Sequence, residues 1–313
     1  MKTTIHWYQR IGLETLWALS LAISIMPRAI RYYVFKPFLA AILLLSRYRR
    51  STILKNLHRA FPEKSEKECR YLARRYYLFM AELIIDTLSL AGADEKRKDK
   101  AVLWENADEM HSALDGRDWI AMGAHYGCWE YLPLWARQQP NSTFMSVYHP
   151  LHSTVFELFY QRIRTLSPQV VQIPMKQTIL YYLRNRRPGH SLVLGLLSDQ
   201  SPKMRPDSHW FQFLNQPTIF NDGAEALALK FHLPVYFAYT RRMAPGRYVV
   251  RCDEIYNGTD ALPPNEITRR YAMRLEAMIR EQPELWIWSH HRWRHTPAKQ
   301  AKRYGKSTLQ NDN

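Results

Sequence analysis

Between residues 119 and 252, short apolar runs alternate with stretches of helical period, and few architectures accommodate that rhythm. The runs are 119–124, 143–147, 170–173, 191–197, 235–240 and 247–252. Each is short, and all but the last, which carries Arg247 and Arg251, are free of charge, as suits strands buried on both faces. Helical stretches lie between them at 129–138, 153–166, 177–185 and 223–231, and a last helix is expected at 266–280, ending before Pro283. This alternation predicts an α/β sheet layered with helices.

Upstream of the sheet the pattern is helical. Residues 51–61 read as a short helix that Phe61-Pro62 breaks. Ser65 with Glu68 has the spacing of a capping box, in which each side chain satisfies the other's backbone N–H. The helix it opens is expected to run to about Leu90, with Leu72, Tyr76, Phe79, Met80, Leu83, Ile84 and Leu88 on one buried face. The stretch 91–100, which ends in a charged run, reads as a solvated linker. The polar, basic tail after Thr296 is expected to be disordered, giving a division into 1–50, 51–296 and 297–313.

The N-terminal division carries two apolar stretches. Residues 11–26 contain Glu14 alone as a charge, and Pro27-Arg28 ends them. Sixteen residues are short of the roughly 20 that a helix needs to span a bilayer. The second stretch, 32–46, carries only Lys36 and runs into Arg47-Tyr48-Arg49-Arg50. A tilted anchor helix followed by an interfacial helix, or a pair of buried helices, fits this pattern. A signal peptide fits less well, because no small-residue cleavage site follows. Lys2 and Arg10 precede the first stretch, whereas Arg28, Arg31, Lys36, Arg47, Arg49 and Arg50 follow it. The heavier basic side predicts a body on the cytoplasmic face of the membrane.

The net charge of +16 over 313 residues directs attention to acidic partners: nucleic acid, anionic membrane, a phosphorylated lipid or an acidic carrier protein. No zinc-finger, RNA-recognition or helix-turn-helix pattern supports nucleic acid. Cys69, Cys128 and Cys252 are far apart and form no Cys-x-x-Cys, which fits a reducing compartment without disulfides. There is no Gly-x-Ser-x-Gly elbow, Walker lysine loop or dinucleotide glycine triplet.

Chemistry concentrates where the first apolar run ends. His125 directly follows 119–124, and reactive groups in open α/β sheets sit at such carboxyl ends. Glu130 is five residues on, a spacing that on one helix would set the pair about 140° apart. The two meet only if His125 precedes the helix, Gly127 makes the turn and Glu130 reaches back. A carboxylate that fixes the imidazole tautomer makes His125 a general base for a hydroxyl. A buried His–carboxylate pair of purely structural value fits the same spacing.

The block from Gly123 through His125 to Glu130 resembles the His-x-x-x-x-(Asp/Glu) block of the lipid A late acyltransferases, the lauroyl/myristoyl acyltransferase family. The resemblance continues in Asn56-Leu57 with Phe61-Pro62, Val147-Tyr148-His149-Pro150, Arg162-Ile163-Arg164, Ser198-Asp199-Gln200, Phe220-Asn221-Asp222-Gly223 through Pro234-Val235, and the ending Trp286-Ile287-Trp288-Ser289-His290-His291-Arg292-Trp293. Two positions depart from it: His149 stands where the family has Arg, and Cys128 where relatives often have Asn. Cys128 beside Trp129 is expected to be an inert packed thiol. Trp210, Phe211 and Phe213 fit an acyl groove, a bilayer contact or simple core packing equally well. His291 and His295 have the i, i+4 spacing of a zinc site without an evident third ligand.

The resemblance implies a mostly parallel mixed sheet flanked by helices, of the glycerolipid-acyltransferase type, with an N-terminal membrane-anchor helix. It implies His125 as base, Glu130 as its orienter, Arg164 and Arg162 on a substrate phosphate or oxyanion, and Asp199 positioning the acceptor or an arginine. The implied donor is acyl carrier protein and the implied acceptor a phosphorylated lipid A precursor in a bacterial inner membrane. No cofactor, metal or nucleic acid is implied. The same base and orienter would equally serve an aminolipid, glycolipid or pigment acceptor.

Overall fold

The computed structural model describes residues 5–305, apart from Pro140, Thr165 and Leu166. Lys2 of the N-terminal charge pattern, the end at Leu166 of the helical stretch expected over 153–166, and the tail beyond 305 lie outside them. Pro27 ends α1 (Trp7–Ile25), and after a break a π-helical turn, Ile30–Phe35, leads into α2 (Lys36–Leu45). Then come α3 (Arg50–Ala60) and the long α4 (Glu66–Ser89), whose Ser65 cap accepts from Glu68 N–H while the Glu68 carboxylate accepts from Ser65 N–H. After α5 (Glu95–Ala101) the chain alternates: β1 (Val102–Trp104), α6 (Ala107–Leu114), β2 (Trp119–Gly123), a 3₁₀ segment Trp129–Gln138, β3 (Ser142–Tyr148), α7 (Thr154–Arg164), β4 (Val170–Pro174), α8 (Thr178–Asn185) and β5 (Ser191–Leu197). The hairpin β6 (Phe211–Phe213) and β7 (Gln216–Thr218) precedes α9 (Gly223–Phe231), β8 (Val235–Ala244), β9 (Arg247–Tyr256), α10 (Glu266–Glu281) and α11 (Pro297–Tyr304).

Seven strands form the main sheet in the order β1-β9-β8-β2-β5-β3-β4, and β8–β9 is the one antiparallel neighbour pair in it. The mostly parallel sheet expected from the resemblance is therefore the one observed. Side chains alternate between its two faces as the pleat requires. Ile120 and Met122 of β2 join a core with residues of α3, α4, α9 and α10, while Trp119 and Ala121 join one with α6, the 129–138 segment and α7. A strand such as β2, buried along its whole length, needs apolar residues at every position, which is why the run shows no polar alternation.

Three expectations are corrected. The charged stretch after Asp94 is no linker: Asp94 accepts from Arg97 N–H at 2.8 Å and caps α5. Residues 129–138 wind as 3₁₀ rather than α-helix, because Pro133 inside them lacks the N–H an α-helical ladder uses. The tail after Thr296 begins with a helix: Thr296 Oγ1 caps it, Pro297 opens it, and Gln300 accepts from Trp210 Nε1 at 2.6 Å and donates to the Arg205 carbonyl at 2.9 Å. Strand β1 and helix α6 carry no expectation from the sequence, and the segment around Trp210, Phe211 and Phe213, expected as a long loop, contains the hairpin β6–β7.

No single helix among the described residues is long and apolar enough to cross a membrane; α1 and the 30–45 segment pass such a test only together, with their axes bent by 117° at the break. The N-terminal pair nonetheless presents apolar side chains outward: Trp7, Ile25, Tyr33 and Leu45 are each more than 70% exposed. So many large apolar side chains exposed on two neighbouring elements fit a possible anchor.

Candidate active site

Strands β2 and β5 run parallel side by side, with Gly123 opposite Leu197. His125 lies two residues beyond Gly123 and Asp199 two beyond Leu197, so this register delivers the two side chains to one place at the carboxyl edge of the sheet. His125 Nδ1 and Asp199 Oδ1 are 2.7 Å apart. The other oxygen, Oδ2, accepts from Trp286 Nε1–H at 2.8 Å. Asp199 is only 1% exposed. Burial by itself would raise its carboxyl, but the His125 charge and the hydrogen bonds from His125 and Trp286 outweigh this and hold it below the ordinary range. An ionised Asp199 accepts a hydrogen bond from Nδ1–H, and in the neutral imidazole this leaves the lone pair on Nε2. That Nε2 lies 3.2 Å from Gln200 Nε2 on an exposed side chain, and the His125 ring meets the Trp129 ring edge-on at a centroid distance of 5.0 Å.

The partner of His125 is thus Asp199, not the expected Glu130. Both oxygens of Glu130 are occupied by Arg164, whose Nε and Nη2 donate at 2.8 and 2.6 Å. Burial acts to raise the Glu130 carboxyl, but Arg164 overrides it through charge and hydrogen bonds, with His125 adding to the effect, so it stays below the usual value. The same pairing raises Arg164 against the downward pull of burial. A bidentate, nearly buried pair of this kind is rigid and directional. Arg162 turns elsewhere: its guanidinium sits 3.9 Å from the Trp17 ring centroid and 3.2 Å from Glu14, tying α7 to α1. The two arginines taken together as a substrate grip are therefore divided, and Arg164 alone borders the site.

The loop between His125 and Glu130 is held by its backbone. Gly127 has φ of +59°, and a Cβ there would collide with Thr240 Oγ1. Its N–H donates to the Leu285 carbonyl at 3.0 Å, and Tyr126 forms a bridge to Trp286. The chain around Trp286 therefore grips both the His125 loop and Asp199. Farther along, His290 Nε2 accepts from Ser201 N–H at 3.1 Å, and Arg294 Nη2 donates to the Ser201 carbonyl at 3.0 Å. Burial pushes His290 down to about 4, which keeps it a neutral acceptor. Trp286 is a site residue that sequence reasoning did not single out. It stood within the Trp-rich block, but nothing there indicated that its indole faces Asp199.

The remaining candidates fall into place. Phe211 and Phe213 are core residues, and Trp210 is buried with Met204 and Ile219, so these rings pack rather than face solvent. His149 is exposed at the end of β3. Among the described residues, no three His, Cys, Asp or Glu side chains are placed to share a metal ion. His295 lies 3.1 Å from the Pro202 carbonyl. Cys128 is fully buried, and burial with nearby carboxylates pushes its thiol well above the usual value. It stays protonated and shielded at neutral pH. Iodoacetamide is accordingly expected to leave Cys128 unmodified in the folded protein by mass spectrometry, and to label it only after denaturation.

A neutral imidazole oriented by a buried carboxylate, at the carboxyl edge of an α/β sheet and beside a fixed guanidinium, can take a proton from a hydroxyl and direct charge on a neighbouring group. Residues 2–295, nearly the whole chain, match the model of the family described as bacterial lipid A biosynthesis acyltransferase. The chain belongs to the bacterial lipid A biosynthesis acyltransferase family. A comparison with curated proteins finds no match. The family match makes this an acyltransferase of lipid A biosynthesis and accounts for the resemblance of the separate blocks: they are parts of one family pattern. Within this acyltransferase the His125–Asp199 and Glu130–Arg164 pairs sit side by side, bound to one loop.

Proposed function

We propose that this acyltransferase moves a fatty acyl chain from the thioester of acyl carrier protein to a hydroxyl of a phosphorylated lipid A precursor, with His125 as the general base. The observation that carries the proposal is the 2.7 Å contact of His125 Nδ1 with Asp199, which leaves Nε2 as the basic atom at the site. The acceptor hydroxyl takes the place of the Gln200 amide at Nε2 and gives up its proton as its oxygen attacks the thioester carbonyl. The new C–O ester bond forms, the C–S bond breaks, and the imidazolium returns the proton to the leaving sulfur. No acyl-enzyme is formed. Asp199 stabilises the imidazolium, and Arg164, held by Glu130, faces negative charge on the acceptor phosphate or the developing oxyanion.

The setting agrees with this reading. The net charge of +16 suits an acidic carrier protein and phosphates, and the exposed apolar N-terminal helices suit a lipid acceptor. The heavier basic side that follows α1 supports a sheet domain on the cytoplasmic face of the inner membrane. Mass spectrometry of lipid A from cells in which the gene is disrupted is expected to show the loss of one secondary acyl chain. Unchanged lipid A with an altered aminolipid, glycolipid or pigment would move the acceptor elsewhere while keeping the chemistry.

A further inference from the structure

The run Arg47-Tyr48-Arg49-Arg50 plays no part in the proposed transfer, yet its backbone is specially built. Arg47 and Arg49 both lie in the left-handed region, with φ of 53° and 47°, which non-glycine residues seldom adopt. Two hydrogen bonds fix the turn: Tyr77 Oη–H donates to the Tyr48 carbonyl at 2.8 Å, and Arg49 Nη1 donates to the Ser289 carbonyl at 3.1 Å. The result is that Arg47 and Arg50 face Arg70 and Arg74 of α4 across a cavity of about 310 Å³. No carboxylate lines that cavity. Arg70 reaches Glu66 at 2.6 Å, whereas Arg47, Arg50 and Arg74 have no carboxylate partner among the described residues. Three guanidinium groups without a carboxylate, Arg47 and Arg50 at the strained turn and Arg74 on α4, thus line one cavity beside the ion-paired Arg70, and an anion between them would relieve their repulsion.

We propose that this cavity binds the phosphate of an anionic membrane lipid, at a site separate from the acyl-transfer centre. Guanidinium groups match phosphate oxygens with paired donors, and three of the four are free to do so. Leu44 and Leu45, at the end of apolar α2, form the cavity's apolar wall, and Leu45 is 81% exposed. A phospholipid presents that combination, a phosphate joined to hydrocarbon. A free phosphate has no use for the leucines, and the acidic helix of a carrier protein is convex and would meet a patch rather than a concavity. Lipid bound here sets the depth at which the N-terminal helices lie in the bilayer surface.

The test uses full-length protein and phosphatidylcholine vesicles with and without phosphatidylglycerol. The double variant R47Q/R74Q changes two exposed side chains and should fold normally, as circular dichroism would verify; R50Q/R74Q serves as a second pair. Each arginine near an anionic surface contributes roughly fivefold to binding, so either pair should lose about 20- to 30-fold on phosphatidylglycerol vesicles. Binding to pure phosphatidylcholine should not change. The control R184Q/K230Q, which removes the same charge from α8 and α9, should lose no more than a few-fold. Equal losses in control and test pairs would overturn the site, as would wild-type binding by both test pairs. Displacement of vesicles by millimolar inorganic phosphate as effective as by soluble short-chain phosphatidylglycerol would assign a free-phosphate site instead. Loss of acyl carrier protein binding with vesicle binding intact would assign the cavity to the carrier. Because the readout is vesicle binding, the result stands apart from the success or failure of the acyl-transfer reading.

Discussion

Asp199→Asn is expected to lower kcat by roughly 10⁴-fold, the loss that removing a tautomer-setting carboxylate produces in a serine-protease triad. The reason is specific to this geometry. Trp286 Nε1–H already donates to Oδ2 of Asp199. In the Asn variant the amide oxygen must occupy that place, so the NH2 group faces His125 Nδ1. An N–H aimed at Nδ1 forces the ring proton onto Nε2, the atom that must accept a proton from the acceptor hydroxyl. Substrate contacts are untouched, so KM should change by only a few-fold and the melting temperature by a few degrees. Steady-state kinetics with a thermal unfolding control separates this outcome from general damage. A variant with unchanged kcat would remove Asp199 from the mechanism.

Glu130→Gln should produce the opposite balance of effects. The Arg164 guanidinium would be left with 19% side-chain exposure and no countercharge. Breaking such a pair from one side destabilises by about 3–5 kcal/mol, mainly because the remaining charge stays buried. The sign of the pH dependence follows from the lowered Glu130 carboxyl. A carboxyl depressed on folding stabilises the protein above its unfolded-state value and loses that contribution as the pH falls through the folded-state value. The deficit of Glu130→Gln relative to wild type should therefore be full at pH 7 and shrink as the medium is acidified below about 4. Replacing both residues with apolar ones, Glu130→Leu with Arg164→Met, should cost less stability than Glu130→Gln alone, since an apolar pair needs no countercharge. Activity should fall in Glu130→Gln and Arg164→Gln to a similar degree, with little further loss in the double variant, because the two act as one unit. Denaturant titrations at several pH values provide the comparison.

The strands were legible because β2 and β5 are uninterrupted apolar runs, and His125 could be placed at a strand end from that alone. Its partner was not legible. Asp199 is 74 residues from His125, and their meeting depends on β2 pairing with β5, a neighbour relation that no single strand encodes. The nearby Glu130 was the natural choice by distance along the chain, but Arg164, 34 residues away, claims both its oxygens. Other misses had visible signals. Thr296-Pro297 is a cap followed by a first-turn proline, and Asp94 is a capping residue, yet the polar composition around each outweighed these local signs. Pro133 likewise marked the 129–138 segment as unable to continue an α-helix.

The central claim is that His125, tuned by Asp199, is the base in direct acyl transfer to a lipid hydroxyl. Its most direct test is single-turnover transfer from radiolabelled acyl carrier protein to a lipid A precursor, comparing wild type with His125→Ala and following label in both lipid and protein. The account predicts label passing to lipid in the wild type with none bound covalently to the protein, and a rate at least about 10³-fold lower in His125→Ala, near the upper range for loss of general-base catalysis. Transfer at the wild-type rate by His125→Ala, or a labelled acyl-protein that forms and decays as lipid product appears, would contradict it.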